Sequence, residues 1–398
     1  MDHRGPRLVV VFACLGHAYM HVLTALYLTV VLGLESDWRL SYDVLIRLWT
    51  VGSLMIGIGA PLAGWLGDRW SESRMIVAFF LITGGGAVAA GLAEGTTGLM
   101  LGLAALGLGA SIYHPVAFSW VMRHSINRGR VMGTVGIFGS LGIAGAALIA
   151  ATLTDVIDWR AAFILPGVVS VATGLVLWAC IALRLVVDRD SDVKPDAPAG
   201  RGDAIRAFVV LSVTMVCGGL IFHSLQVAMP KWFDERMVGL TGDTMIGVGG
   251  MVAAVYLFAS VSQIVGGHLC DRLPLKTVYV WGLALQFPFL ALLSGLTDVP
   301  LLVAAALAVF IGGGLLPAEN LLLARYTPDR HRGLVFGLKF ILAFGVAPLA
   351  VQLVALSHGW RGDFGLLLWS LSVIGLTACA AALMLPGGVR RVAPAPAE

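Results

Sequence analysis

The chain has 398 residues, 58% of them hydrophobic and only 12% charged, with a mean hydropathy of +0.90. A water-soluble protein carries about 25% charged residues to coat its surface, so a soluble enzyme is excluded; so is a disordered chain, which would be poor in apolar residues. The net charge of +3 gives no footing for a nucleic-acid partner, and 50 glycines suit closely packed transmembrane helices.

About 20 apolar residues cross a bilayer as a helix, and breaks at charge, Pro and Gly divide the chain into twelve such runs. The first, α1 (8–33), is too long for a cleaved signal peptide and carries His17, His21 and Tyr27 where a signal would be plainly apolar. His17, His21 and Thr24 fall at i, i+4 and i+7, on one face, with His17 near the midplane. In α2 (44–67), Arg47 stands near one end, where it is expected to snorkel to the headgroups. Next come α3 (75–93) and α4 (98–121). Tyr113 and His114 in α4 lie at a depth comparable to His17, beside Pro115, which frees a carbonyl and kinks the helix. Along α5 (131–153), Gly133, Gly136, Gly139, Gly142 and Gly145 form a small-residue stripe, for a sliding interface or for plain tight packing. α6 (159–184) closes the first half.

Residues 185–205, rich in Asp, Pro, Lys and Gly, read as a flexible linker. The second half runs through α7 (206–229), α8 (244–268), α9 (276–295), α10 (299–323), α11 (333–356) and α12 (362–385). The predicted domains are therefore 1–184 and 206–398, joined by 185–205. In α7, His223 and Gln226 share a face. Glu319 in α10 and Lys339 in α11 are both about 9 Å inside the same boundary at 1.5 Å per residue. Equal depth on antiparallel neighbours permits an ion pair. Intramembrane charges are costly and mark function by default. Three roles stay open for the pair: structural, binding of an anionic solute by Lys339, or proton coupling through Glu319.

Short-loop charge sets orientation. Nineteen of the 26 Lys and Arg lie on the side of the termini, against Arg39, Arg160, Lys231, Arg236 and Arg361 on the other. Both termini are thus expected in the cytoplasm, in a multi-pass protein of the cytoplasmic (inner) membrane. Trp38, Trp70, Trp159, Trp232 and Trp360, at loop edges, are expected to anchor spans at the interface. The five cysteines are scattered, with no disulfide or metal spacing. His17 and His21 have a spacing that a metal could bridge, but no acid stands near them in sequence to complete a site. No metal and no cofactor are expected.

The halves repeat each other. Gly64-Trp-Leu-Gly-Asp68-Arg69 after α2 returns as Gly267-His-Leu-Cys-Asp271-Arg272 after α8. Pro115 matches Pro317, Gly129/Gly133 match Gly333/Gly337, Trp159-Arg160 matches Trp360-Arg361, and His21 aligns with His223. Six spans per half make this a parallel repeat about the membrane normal.

With these motifs the chain resembles the major facilitator superfamily over its whole length. Within it, Gly107-Leu-Gly-Ala-Ser-Ile-Tyr113-His114-Pro115 and His17-Ala-Tyr-Met-His21 are similar to the fosmidomycin-resistance type of efflux transporter. The sequence departs from that group where His21 replaces an acid and Val116 replaces a Glu. It also lacks the Gly-Pro step of the superfamily's antiporter signature in α5. The resemblance implies two pseudo-symmetric six-helix bundles with α1, α4, α7 and α10 around a central cavity. It implies gating by Asp68, Arg69, Asp271 and Arg272, each acid facing a helix N-terminus of the other half. Binding or proton coupling would fall to His17, His21, Tyr113, His114, His223, Gln226, Glu319 and Lys339.

The expected function is secondary active transport of a small organic solute by rocker-switch alternating access, as proton-coupled efflux, by a monomer in the lipid bilayer. The alternatives are an uptake permease for a small organic anion and, from other classes, a non-transporting sensor or a membrane-embedded lipid enzyme. Short loops without a cluster of His or carboxylates at the membrane surface argue against the enzyme.

Overall fold

The computed structural model describes residues 4–125, 128–188, 201–242, 244–327 and 332–387. Within them twelve helices are long and apolar enough to cross a membrane. They are α1 Gly5–Trp38, α2 Tyr42–Gly67, α3 Glu72–Gly91, α4 Thr96–His124, α5 Val131–Val156 and α6 Trp159–Ala182. The second half holds α7 Gly202–Arg236, α8 Met245–Arg272, α9 Leu275–Leu293, α10 Asp298–Tyr326, α11 Leu338–Arg361 and α12 Gly365–Leu383. The fold is the all-α membrane architecture expected from the hydropathy pattern. Most of the linker, residues 189–200, lies outside the described residues.

Prolines shape two spans in the way their chemistry requires. A proline ring clashes with the carbonyl four residues back and supplies no N–H. α4 breaks at Ser111–Ile112, four and three residues before Pro115, and α11 breaks at Gly345–Val346, just before Pro348. Pro317, the repeat partner of Pro115, leaves α10 in one piece.

The halves are built alike. α3 packs between α4 and α6, and α9 packs between α10 and α12. Close backbone approach recurs too: a methyl group at Gly107 would overlap the Gly52 carbonyl between α4 and α2, and one at Gly266 would overlap the Gly314 carbonyl between α8 and α10. Lipid-facing positions such as Ile58, Leu101, Trp178, Trp281 and Trp369 stay exposed and apolar, as a bilayer-spanning surface must.

The buried core is divided unevenly. One apolar cluster joins both halves and includes Leu34, Tyr42 and Trp49 with Trp232, Val354 and Phe364. It lies toward the face opposite the chain ends, called here the far face. Among the described residues toward the face that carries the chain ends, each half has its own cluster, one around Phe79, Tyr113 and Trp120, the other around Tyr279, Leu322 and Cys379. Between the halves, α5 meets α8 where Gly249 lies against Ala147, and α2 meets α11 where Gly57 lies against Gly345.

Three expectations are corrected. Trp159 and Trp232 are not interfacial anchors. They are 1% and 0% exposed and pack inside the far-face core, where Trp159 meets Trp38 edge-on. Trp70 and Trp360 are exposed as expected. Arg47 does not snorkel to headgroups; it donates to Gln352 Oε1 of the other half at 3.2 Å, and Gln352 donates to Thr50 at 2.7 Å. A polar partner inside the protein removes the reason to reach for the interface.

Candidate functional site

The sequence-predicted polar residues fall into one central cluster and one buried ion pair. The cluster begins on α1. Its helical spacing brings the His17 and His21 rings to 5.0 Å. The break before Pro115 then turns Tyr113 and His114 toward them. His114 lies 5.3 Å from His17 and 5.7 Å from His21, ring to ring. Tyr113 stacks on His17 at 5.2 Å and donates its hydroxyl to Ala13 O at 2.6 Å.

His17 is held from a third side by α5. Its Nδ1 is 2.7 Å from Val135 O. A carbonyl only accepts, so Nδ1 carries the proton and Nε2 keeps its lone pair. Gly139 lies directly under the ring, where any Cβ would collide with it, and Gly142 abuts the Ala18 backbone. These two glycines of the α5 stripe therefore serve packing against α1 within one half. Gly136 looks instead toward Gln263 of α8, and Gly133 faces open space.

The second half covers the cluster with aromatic rings. Phe340 and Phe344 of α11 lie 5.5 and 5.0 Å from His114, and Phe344 is 5.5 Å from His223. A cavity of about 30 Å³, the space of one water, lies between the halves. Its polar lining is His21, Thr24 and Ser53 from the first half and His223 and Gln226 from α7. The repeat-related His21 and His223 thus face the same space from opposite halves.

Glu319 and Lys339 meet as a buried ion pair at 2.7 Å. Tyr279 of α9 donates to Glu319 Oε2 at 3.0 Å, and Lys339 also donates to Asn320. All four residues belong to the second half, and Glu319 and Lys339 do not line the cavity. Sequence reading missed Tyr279 and Asn320, because nothing in spacing marks a tyrosine one helix away as a partner.

The gating residues present a different picture. The Asp68 side chain lies outside the described residues. Arg69 places its guanidinium 4.3 Å from the centroid of Trp65, on its own helix. Asp271 and Arg272 are exposed at the end of α8, and among the described residues neither makes an ion pair. The side chains of 126–130, at the start of α5, lie outside the described residues.

Among the described residues, polar links between the halves lie at the far face. Lys231 of α7 pairs with Glu35 of α1 at 2.8 Å, supported by Asp234 at 3.6 Å and Glu235 at 3.9 Å. Within the second half, His358 of α11 contacts the same Glu235 at 2.8 Å. Tyr42 donates to Val227 O at 3.1 Å, and Asp155 accepts from the Ile246 N–H at 3.0 Å. None of these was singled out in the sequence except as topology charges.

Residues 8–258 and 241–398 match the family model described as the Major Facilitator Superfamily. An uncharacterized MFS-type transporter of Bacillus subtilis (strain 168) is 26% identical over 338 residues, 82% of this chain and 80% of that protein. The methylenomycin A resistance protein of the same organism is 30% identical over 165 residues, 40% of this chain but only 34% of that protein. Among solved structures, the peptide transporter POT in complex with sulfate matches with a TM-score of 0.77 at 16% identity, over 97% of this chain and 96% of that one.

Proposed function

The chain belongs to the Major Facilitator Superfamily, and from that premise we propose that it exports a small organic solute by proton-coupled alternating access. The observation that carries this reading is the polar cavity between the halves, lined by His21 and Thr24 on one side and His223 and Gln226 on the other. A site shared by two halves is the place where a rocking motion exchanges exposure, because it is the contact that each state must rearrange. Imidazoles suit proton exchange there, since they titrate close to neutral pH in water. The groups facing that space or packed round it are His17, Tyr113 and His114 besides the two cavity histidines.

The proposed setting is the cytoplasmic membrane, with a monomer whose termini lie in the cytoplasm, two domains at 1–184 and 206–398, and no enzymatic step. In this orientation the far-face core and the Glu35–Lys231 pair close the outer side. The separate cores at the other face leave the cytoplasmic side as the one that opens. Asp68, Arg69, Asp271 and Arg272 would then close it in the opposite state. The efflux direction draws support from the fosmidomycin-resistance-like stretch Gly107–Pro115 and from the partial likeness to a protein named for methylenomycin A resistance. Lys339 gives no separate support to an anion permease, because Glu319 and Asn320 occupy its ammonium and it lies off the cavity.

The test is flux in proteoliposomes under an imposed pH gradient, with a panel of small antibiotics and metabolites. At least one solute should move against its gradient, stop when a proton ionophore is added, and move about tenfold more slowly with His223→Ala. Solute flux that ignores the gradient and the ionophore would sink the coupling.

A further inference from the structure

We infer that His17, His21 and His114 form a binding site for a divalent transition-metal ion, with a fourth coordination position open toward the cavity. One ligand nitrogen from each ring lies within 4.8 Å of the other two. Zn–N bonds of about 2.0–2.1 Å in tetrahedral geometry bring ligand nitrogens to about 3.4 Å, so each donor needs to move inward by no more than about 0.8 Å.

The ring chemistry suits the role. His17 donates its Nδ1 proton to Val135 O, the second-shell bond that fixes the tautomer of a metal-binding histidine and leaves Nε2 as the donor. Tyr113 stacked on one side and Gly139 beneath hold that ring in place. Among the described residues the imidazoles of His21 and His114 make no hydrogen bond, and His114 is only 8% exposed. Phe340 and Phe344 wall off the His114 side, while His21 reaches the cavity lined by Thr24 and Gln226. Three neutral nitrogens with one open position match Zn²⁺, Co²⁺, Ni²⁺ or Cu²⁺; Mg²⁺ and Ca²⁺ require oxygen ligands. No carboxylate belongs to the group, so the ion keeps its full charge and favours an anionic fourth ligand such as hydroxide or a solute carboxylate.

The sequence offered only the His17/His21 pair. The third ligand comes from a helix almost 100 residues on, placed by the Pro115 break. The site shares His21 with the cavity of the proposed proton coupling, and it is tested by binding alone, a readout that does not depend on transport. The full chain, purified in detergent without a polyhistidine tag, is titrated with Co²⁺. One equivalent should bind with the visible absorption of tetrahedral cobalt, and Zn²⁺ should displace it. His21→Gln and His114→Gln should each weaken binding at least a hundredfold, with monodisperse elution and unchanged helical circular dichroism. His268→Ala, at an exposed position, should bind as the wild type does. Absence of the cobalt spectrum in folded wild-type protein, or the same titration in both glutamine variants, would overturn the site.

Discussion

Glu319 and Lys339 illustrate what a single buried charge demands of its surroundings. Each is under 10% exposed, and the carboxylate also accepts from Tyr279. Removing one partner of a buried pair leaves the other charged and unmatched, at about 3–5 kcal/mol. Replacing both by apolar groups of similar size is often near neutral. Glu319→Gln is therefore expected to lower the melting temperature and to lower transport. Glu319→Leu combined with Lys339→Leu is expected to regain most of the stability. Thermal unfolding and proteoliposome flux of the two variants separate the roles: if the double variant also regains flux, the pair is structural, and if it is stable but inactive, the pair takes part in transport.

At the scale of an element, α5 shows how one stripe of glycines serves different neighbours along its length. Gly139 and Gly142 let α5 sit against the His17 turn of α1, whereas Gly133 meets nothing within 4 Å. Alanine in a helix is ordinarily favoured over glycine by roughly 0.5–1 kcal/mol. Gly133→Ala should therefore leave the melting temperature unchanged or raise it slightly. Gly139→Ala puts a methyl group into the His17 ring. It should destabilise by about 1–3 kcal/mol, the range for overpacking, and reduce flux by displacing that imidazole. Equal melting temperatures for the two variants would show that the α1–α5 contact is looser than this packing requires.

For the whole molecule, the deciding feature is the unequal division of the core. Among the described residues the halves share one apolar cluster at the far face and keep separate clusters at the other. Polar links across the far face add to this, with Lys231 at their centre. A partly exposed ion pair contributes about 1 kcal/mol at most, but that is enough to shift a balanced two-state population about fivefold. Lys231→Ala is expected to widen the far face. Spin labels at Asp37 and Val238, both exposed there, introduced into a cysteine-free background, should show a larger fraction of long distances in the variant. An unchanged distance distribution would mean that the shared apolar core alone holds this face closed.

The sequence by itself determined the number of spans, the six-plus-six repeat, the helix breaker in α4 and the depth of each buried polar residue. These follow from local quantities: twenty apolar residues cross a bilayer, proline disrupts its own helix, and rise per residue converts position to depth. Depth was enough to anticipate that Glu319 could meet Lys339, because antiparallel neighbours at equal depth face each other. It was not enough for the azimuth of each side chain about its helix. Only the tertiary structure decided that His114 joins His17 and His21, that Tyr279 and Asn320 complete the Glu319–Lys339 pair, and that this pair lies off the cavity. Only packing decided that Trp159 and Trp232 are core rather than interface, and that Arg47 finds Gln352 instead of headgroups. A hydropathy window sees a residue's level in the membrane; the partner across the helix gap, hundreds of residues away in the chain, settles what that residue touches.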